Sequence, residues 1–182
     1  MEREPSAQLR AALDRIGVYE RSIQETWIHR IFQAIGPTRG FSAVYRRLGP
    51  KLDPWLLRVT DGRIATRLYG FPTLLLITTG AKTGKKRSSP LLYVRDADNF
   101  GVVGTNFGTE HHPAWTGNLL KTPEAEIVVG KDTIGVTAAL CDKAIFDRLW
   151  PAFTTVYPGY DAYLARLTKR APRMFLLCPT AR

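Results

Sequence analysis

The sequence predicts an α+β fold in which five or six short, mostly antiparallel strands form a barrel-like sheet with helices between them. Short apolar runs separated by turn residues fill the second half of the chain, and hairpin-type turns join several of them. Apolar residues at helical spacing occupy the N-terminus and the intervals between later strands. With 182 residues, 45% hydrophobic and 23% charged, the chain suits one folded domain.

The first fifty residues have helical patterns. Ser6 can cap a helix over residues 7–16 that carries Leu9, Leu13 and Ile16 on one face. A second helix is predicted over about 20–35, and its apolar stripe suits packing on the domain, a lid over a site, or contact with a membrane surface. We expect residues 1–50 to pack on the barrel or cap its site, and residues 51–182 to form the barrel domain.

Residues 41–70 contain weaker helix signals, over 41–48 and 52–59, before the sheet begins. The predicted strands are 73–79, 89–95, 100–105, 126–129, 133–140 and 174–178. The predicted later helices are 113–120, 143–153 after the N-cap Asp142, and 159–169.

Charge leaves several classes of partner open. Lys and Arg number 26 against 16 Asp and Glu, a formal net charge of +10 that permits nucleic acid, anionic lipid or a polyanionic small molecule. The N-terminus lacks the apolar stretch of a signal peptide, and no window is apolar enough for a spanning helix, so we expect a soluble cytoplasmic protein. Peripheral membrane contact through the N-terminal helices stays open. The two cysteines and three histidines form no metal-ligating cluster, so no metal is predicted.

A basic segment between two apolar runs is the most informative stretch of the chain. Its turn contains Gly80 and Gly84, and three lysines and an arginine stand within the six positions from Lys82 to Arg87. The pattern indicates a strand, a basic loop and a returning strand, which suits a phosphate or a row of carboxylates. For an isolated loop, a solvated hairpin tip is the better interpretation. The segment also falls one residue short of the nucleotide-binding GxxxxGK[ST] motif.

A second block, residues 102–120, suits a flat ligand. Small residues at Gly104 and Thr105 allow close approach to the backbone, Asn106 and Asn118 offer hydrogen bonds, and Trp115 offers an aromatic wall. The alternative is a strand end with a buried tryptophan.

A third block carries three phenols within seven residues. Tyr160 and Tyr163 are three residues apart on a predicted helix and share a face, and Tyr157 precedes the turn. They could line an apolar pocket and donate a hydrogen bond or a proton, and packing alone explains them equally well.

Together the three blocks resemble the deazaflavin-dependent nitroreductase family. The matching segments are TTGAKTGKKRSSPLLYV, VVGTNFGTEHHPAWTGNLLKTPEAEIVV and VYPGYDAY, in that order, and the resemblance covers roughly residues 45–180. It implies an α+β split β-barrel, mostly antiparallel, with helices packed on the barrel. It also implies an oxidoreductase that uses coenzyme F420.

The resemblance assigns roles to individual positions. The basic loop would grip the coenzyme's phosphate and oligoglutamate tail through Thr79, Gly80, Lys82, Thr83, Gly84, Lys85, Lys86 and Arg87. The remaining positions implied to contact the coenzyme are Pro90, Leu91, Val103, Gly104, Thr105, Asn106, Trp115, Asn118 and Tyr160. Tyr157, Tyr160, Tyr163 and Thr105 would serve the acceptor, as catalytic groups.

Three positions depart from the family pattern. Asn106 stands where some members have a lysine that helps to hold the phosphate, Ala81 replaces a frequent arginine, and Thr83 replaces a serine. These departures bear on coenzyme affinity.

The implied reaction is hydride transfer from the reduced deazaflavin to a quinone, a nitro compound or another electron-poor acceptor. Alternatives are an FMN-dependent reductase of the same barrel class and a non-catalytic carrier of a deazaflavin or lipid-like ligand. A nucleic-acid binder ranks lowest, because a basic sheet face with interleaved aromatic residues is missing. A homodimer is a further expectation from the barrel class.

Overall fold

The computed structural model describes residues 6–21, 38 and 70–180, with the side chains of residues 19 and 21 excepted. The weak helix signals over 41–48 and 52–59, and nearly all of the helix predicted over 20–35, lie outside these residues.

Six antiparallel strands close into a barrel. Their order around it is β1-β2-β3-β6-β5-β4, and β4 pairs with β1 to complete the closure. The strands are β1 (Thr73–Thr79), β2 (Lys86–Asp96), β3 (Asn99–Gly104), β4 (Glu124–Val129), β5 (Asp132–Leu140) and β6 (Arg173–Pro179). The predicted α+β split barrel, mostly antiparallel with helices packed on it, is confirmed.

Several strand boundaries differ from the prediction by one to three residues, and two of these differences lie beside the residues of interest. β2 begins at Lys86 rather than at residue 89, because the basic residues Lys86 and Arg87 already pair with Thr79 and Thr78 of β1. β3 ends at Gly104, and Thr105 turns into a helical conformation with φ −74° and ψ −27°. The predicted strand residue Thr105 therefore starts a loop.

The described helices are α1 (Ala7–Arg21), α2 (Ala114–Lys121), α3 (Lys143–Val156) and α4 (Gly159–Ala165). α3 begins as predicted, with the Asp142 carboxylate accepting a 2.8 Å hydrogen bond from the Ile145 amide. α1 runs beyond the predicted residue 16, and α4 ends four residues before the predicted 169. Within the described residues, no helix is long and apolar enough to cross a membrane.

Two apolar cores result, one inside the barrel and one on its outer face. α1 contributes the predicted face of Leu9, Leu13 and Ile16 to the inner core. The outer core lies between the sheet and the helices α3 and α4, and it includes Phe71, Val94, Val103, Leu149, Phe153, Tyr157, Tyr160, Tyr163 and Met174. The tyrosine block thus lies outside the barrel, on the face to which Val103 of β3 points.

Candidate functional site

The basic hairpin, residues 80–87, is a tightly closed turn. The Gly80 amide donates to the Lys85 carbonyl at 2.9 Å, and the Gly84 amide donates to the Gly80 carbonyl at 2.8 Å. A Cβ on Gly80 would lie 2.9 Å from Thr83 Oγ1, and Gly84 has a φ of +66°. Both glycines are therefore required by the turn.

Most backbone amides of the hairpin donate hydrogen bonds to acceptors of the protein itself. Those of Gly80, Thr83 and Gly84 donate to hairpin carbonyls, the Ala81 amide donates to the Asn118 side chain, and the Lys85 amide donates to Thr83 Oγ1 at 3.4 Å. These five amides are therefore not free to bind a ligand. A polyanion at this turn would bind chiefly through side chains.

The cationic side chains of the hairpin are exposed and mostly unpaired. Lys86 lies 3.3 Å from Glu126 Oε1 on the neighbouring strand β4. No carboxylate in the described part of the chain lies within 4 Å of the cationic groups of Lys82, Lys85 or Arg87. Three unpaired cations on a closed turn form a local positive surface, which favours anionic ligands.

Asn118 of α2 fixes the hairpin to the barrel. Its buried amide donates from Nδ2 to Thr78 Oγ1 at 2.9 Å and accepts at Oδ1 from the Ala81 amide at 2.9 Å. Lys121, one turn later, donates to the Ala81 carbonyl at 2.6 Å. Both ends of the Asn118 amide are occupied, so this residue orients the hairpin.

The strand-end loop, residues 105–112, has an unusual backbone. Asn106, Phe107 and Gly108 all have positive φ, at 49°, 58° and 74°. The Asn106 side chain holds this turn from within, donating from Nδ2 to Thr109 Oγ1 at 2.7 Å and to the His111 carbonyl at 2.8 Å. Consecutive left-handed residues other than glycine are costly, and such strain is typical of functional sites.

Arg170 holds the strand-end loop from outside. Its guanidinium donates to the carbonyls of Gly104, Thr105 and Thr109 at 2.7–3.3 Å, and Nη1 also lies 3.2 Å from His112 Nδ1. Glu110 of the same loop makes a contact in the opposite direction: its carboxylate accepts a 3.0 Å hydrogen bond from the amide of Thr168, on the segment that carries Arg170. That hydrogen bond holds the pKa of the Glu110 carboxyl below its ordinary value.

The three tyrosines form one contact group. The Tyr157 and Tyr163 hydroxyls lie 3.2 Å apart, and the Tyr160 ring meets both neighbours edge-on with ring centroids 5.6 and 6.2 Å away. Burial raises the pKa of Tyr160, and burial together with the hydrogen bond between the Tyr157 and Tyr163 hydroxyls raises the pKa of Tyr157. Both phenols therefore stay protonated at neutral pH.

Packing contacts join the three blocks. A Cβ on Gly104 would lie 2.7 Å from Thr116 Cγ2, so β3 ends directly against α2, the helix that carries Asn118. A Cβ on Gly108 would lie 2.9 Å from the Tyr163 carbonyl, so the strand-end loop packs against α4. The hairpin, the strand end and the tyrosines are thus connected through α2 and the strand-end loop.

Some residues expected at the coenzyme lie in the cores. Trp115 is buried inside the barrel against Phe175, with ring centroids 5.8 Å apart, which favours the alternative of a buried tryptophan. Leu91 packs half-buried against the inner core, and Val103 is buried in the outer core. Pro90 and Thr79 are half-buried in the paired strands β2 and β1.

Sequence reasoning missed Arg170, Glu110 and Lys121, which hold the loops in place. Arg170 stands in the ordinary basic run Lys169-Arg170-Ala171-Pro172-Arg173, and its partners are carbonyls 61 to 66 positions away and the His112 ring 58 positions away. No local pattern signals such a contact. The antiparallel pairing of β3 with β6, which sets Gly104 opposite Arg173, brings the two segments together.

Comparisons with known proteins show the family of this chain. A family model described as F420H(2)-dependent quinone reductase matches residues 51–176. An F420H(2)-dependent quinone reductase of Mycobacterium tuberculosis is 44% identical over 130 residues, which cover 69% of this chain and 87% of that protein.

Two solved structures are also similar. An F420-H2 dependent reductase has a TM-score of 0.54 at 30% identity, covering 58% of this chain and 93% of its own. A structure described as a domain-swapped dimer has a TM-score of 0.54 at 27% identity, covering 69% of this chain and 98% of its own.

The family match spans the basic hairpin, the strand-end loop and the tyrosine cluster. The predicted membership in an F420-dependent oxidoreductase family, and with it coenzyme F420 as the cofactor, is confirmed. The chain belongs to the F420H(2)-dependent quinone reductase family.

Proposed function

We propose that this protein oxidises reduced coenzyme F420 and reduces a quinone, a nitro compound or another electron-poor acceptor. The observation that carries the proposal is the set of cations on the basic hairpin, Lys82, Lys85 and Arg87, that pair with no carboxylate of the described residues. They belong to a chain whose family is named for this coenzyme and for quinones.

The hairpin suits the anionic part of the coenzyme. An oligoglutamate tail carries several carboxylates, and a row of exposed lysine and arginine side chains can pair with them one by one. Asn118 and Lys121 keep the turn in one orientation before any ligand arrives, which lowers the entropic cost of binding. The residues present therefore fit the group.

The acceptor end is proposed to lie near the strand end and the tyrosines. When bound, the reduced deazaflavin supplies a hydride. A quinone that receives a hydride gains negative charge on an oxygen and needs one further proton. The protonated phenol of Tyr160, or the hydroxyl of buried Thr105, would stabilise that oxygen or deliver the proton.

The proposal is tested by following oxidation of reduced F420 in the presence of a panel of quinones and nitro compounds. Acceptor-dependent oxidation that saturates with acceptor supports a reductase. Tight binding of the coenzyme with no oxidation by any acceptor would instead identify a carrier.

Tyr160→Phe tests the acceptor end. Tyr160 is 7% exposed, and the phenylalanine ring keeps its edge contacts with Tyr157 and Phe153. We expect turnover to fall by about 100-fold, within the range for a lost general acid, while the dissociation constant of F420 changes little. Full turnover in this variant would make Tyr160 a packing residue.

Four expectations, on assembly, membrane contact, location and domain division, remain predictions. Homodimer formation, suggested by the solved structure described as a domain-swapped dimer, is measured by light scattering of the eluted protein. Peripheral membrane contact is measured by co-flotation with anionic vesicles, and a cytoplasmic location by fractionation. The division into residues 1–50 and 51–182 is tested by expressing the second segment alone.

A further inference from the structure

The contact between Arg170 and His112 determines where the histidine proton lies. A guanidinium has five N–H donors and no acceptor, and it remains protonated. Nη1 lies 3.2 Å from His112 Nδ1, so Nδ1 must accept. An imidazole whose Nδ1 accepts a hydrogen bond is neutral and carries its proton on Nε2.

All five donors of Arg170 are used within the protein. Nε donates to the Thr109 carbonyl, Nη2 donates to the carbonyls of Thr105 and Thr109, and Nη1 donates to the Gly104 carbonyl and to His112. Arg170 therefore has no N–H left for a ligand. Its four partners all belong to the end of β3 and the loop that follows.

We propose that Arg170 is a positioning residue of this site, which fixes the strand-end loop and holds His112 as a neutral Nε2–H donor available to a ligand oxygen. This inference rests on the proposed function for the identity of the ligand. The contact geometry itself belongs to the protein without any ligand.

The surroundings of His112 support the neutral form. The charged groups that face it are the guanidiniums of Arg170 and Arg173, and burial with these two cations lowers the pKa of the imidazole. The nearest acid on the same loop, Glu110, is engaged by Thr168 and Lys169. Among the described residues, no charged group that faces His112 favours a second proton on its ring.

His112 Nε2 has no partner among the described residues, and the side chain is half-buried. Because Nη1 of Arg170 contacts both His112 and the Gly104 carbonyl, the imidazole lies close to the end of β3. A donor there suits a carbonyl or anionic oxygen of a ligand bound at the strand end.

The tautomer is tested without coenzyme, by nitrogen NMR of protein labelled in its three histidines. His112 is assigned with His112→Gln. We expect the nitrogen chemical shifts of His112 to be those of the neutral Nε2–H form. The neutral form should persist to a lower pH than in a free imidazole. Arg173→Gln should keep this tautomer, whereas Arg170→Lys, which cannot span the same acceptors, should yield a mixture. The Nδ1–H tautomer in the unmodified protein would overturn the inference, and so would an unchanged spectrum in Arg170→Lys.

The donor role is tested by comparing His112→Gln with His112→Phe. A glutamine amide can replace the Nε2–H, so that variant should keep the KM for acceptor and the dissociation constant of F420 within about threefold. His112→Phe should raise one of the two by about tenfold, the effect of losing one hydrogen bond. Normal constants in His112→Phe would refute the donor role while leaving the proposed function intact.

If the unmodified protein neither binds nor oxidises reduced F420, the proposed function fails, and the NMR result still decides the tautomer.

Discussion

The basic hairpin and the strand-end loop use positive charge in opposite ways. On the hairpin, Lys82, Lys85 and Arg87 are exposed, and their turn is held by backbone hydrogen bonds. At the strand end, Arg170 is half-buried and directs all of its donors at the protein. The cations of the hairpin are therefore available to bind an anionic ligand. The cation at the strand end instead holds the backbone in its conformation. A count of basic residues cannot distinguish the two.

The largest expected effect is on the free energy of unfolding, which should depend on Arg170 and not on a hairpin cation. Arg170→Met removes five hydrogen bonds, and with them the guanidinium donors of the carbonyls of Gly104, Thr105 and Thr109. We expect the free energy of unfolding to fall by about 3 kcal/mol, because partly buried acceptors lose a charged donor. The matched control Lys85→Met should stay within about 0.5 kcal/mol. Denaturant unfolding measures the free energy of unfolding of both variants. Equal losses in the two variants would contradict the different roles of Arg170 and the hairpin cations.

Asn118→Ala tests whether the Asn118 side chain fixes the hairpin to the barrel. The change removes two hydrogen bonds at 2.9 Å and leaves the Ala81 amide without its acceptor. We expect a loss of about 2 kcal/mol in the free energy of unfolding. Leu120→Ala on the same helix, where the side chain is 48% exposed, is the control and should cost clearly less. If thermal and denaturant unfolding do not separate the two variants, Asn118 does not fix the hairpin.

Removing single cations from the hairpin should affect binding and leave stability unchanged. Lys82→Ala and Arg87→Ala should each weaken F420 binding about tenfold at low salt, equivalent to about 1.4 kcal/mol. Salt should shrink the difference, because exposed charges are screened. Lys143→Ala changes the net charge equally on distant α3 and serves as the control. Fluorescence titration supplies the dissociation constants; equal constants for all four proteins would remove the hairpin from the site.

The smallest expected effect concerns the pH dependence of stability. Burial and two guanidiniums lower the pKa of His112 in the folded protein, so the unfolded chain binds more protons as the pH falls through the ordinary histidine pKa. This histidine therefore subtracts stability at acidic pH and has little influence above neutrality. His112→Gln should lose less stability than the unmodified protein between pH 7 and pH 5. Parallel pH profiles of the unfolding free energy would contradict the assignment.

Local patterns predicted the strands and their hairpin turns well, because alternation and turn residues act over a few positions. β1 was predicted to the residue, and the Asp142 cap of α3 was predicted correctly. The basic run also predicted the exposed cations, since charge stays at the surface. Other features depend on distant pairing. Trp115 faces the inner core only because α2 packs across the barrel, and Arg170 meets Gly104 only because β6 pairs with β3.

The central claim is that the cations of the hairpin bind the anionic tail of coenzyme F420. The most direct measurement is a titration of the unmodified protein with F420 and with FMN at several salt concentrations. We predict that F420 binds more tightly than FMN, because FMN lacks the carboxylate tail, and that the affinity for F420 falls steeply with added salt. Tighter binding of FMN, or an affinity for F420 that salt does not change, would contradict the account.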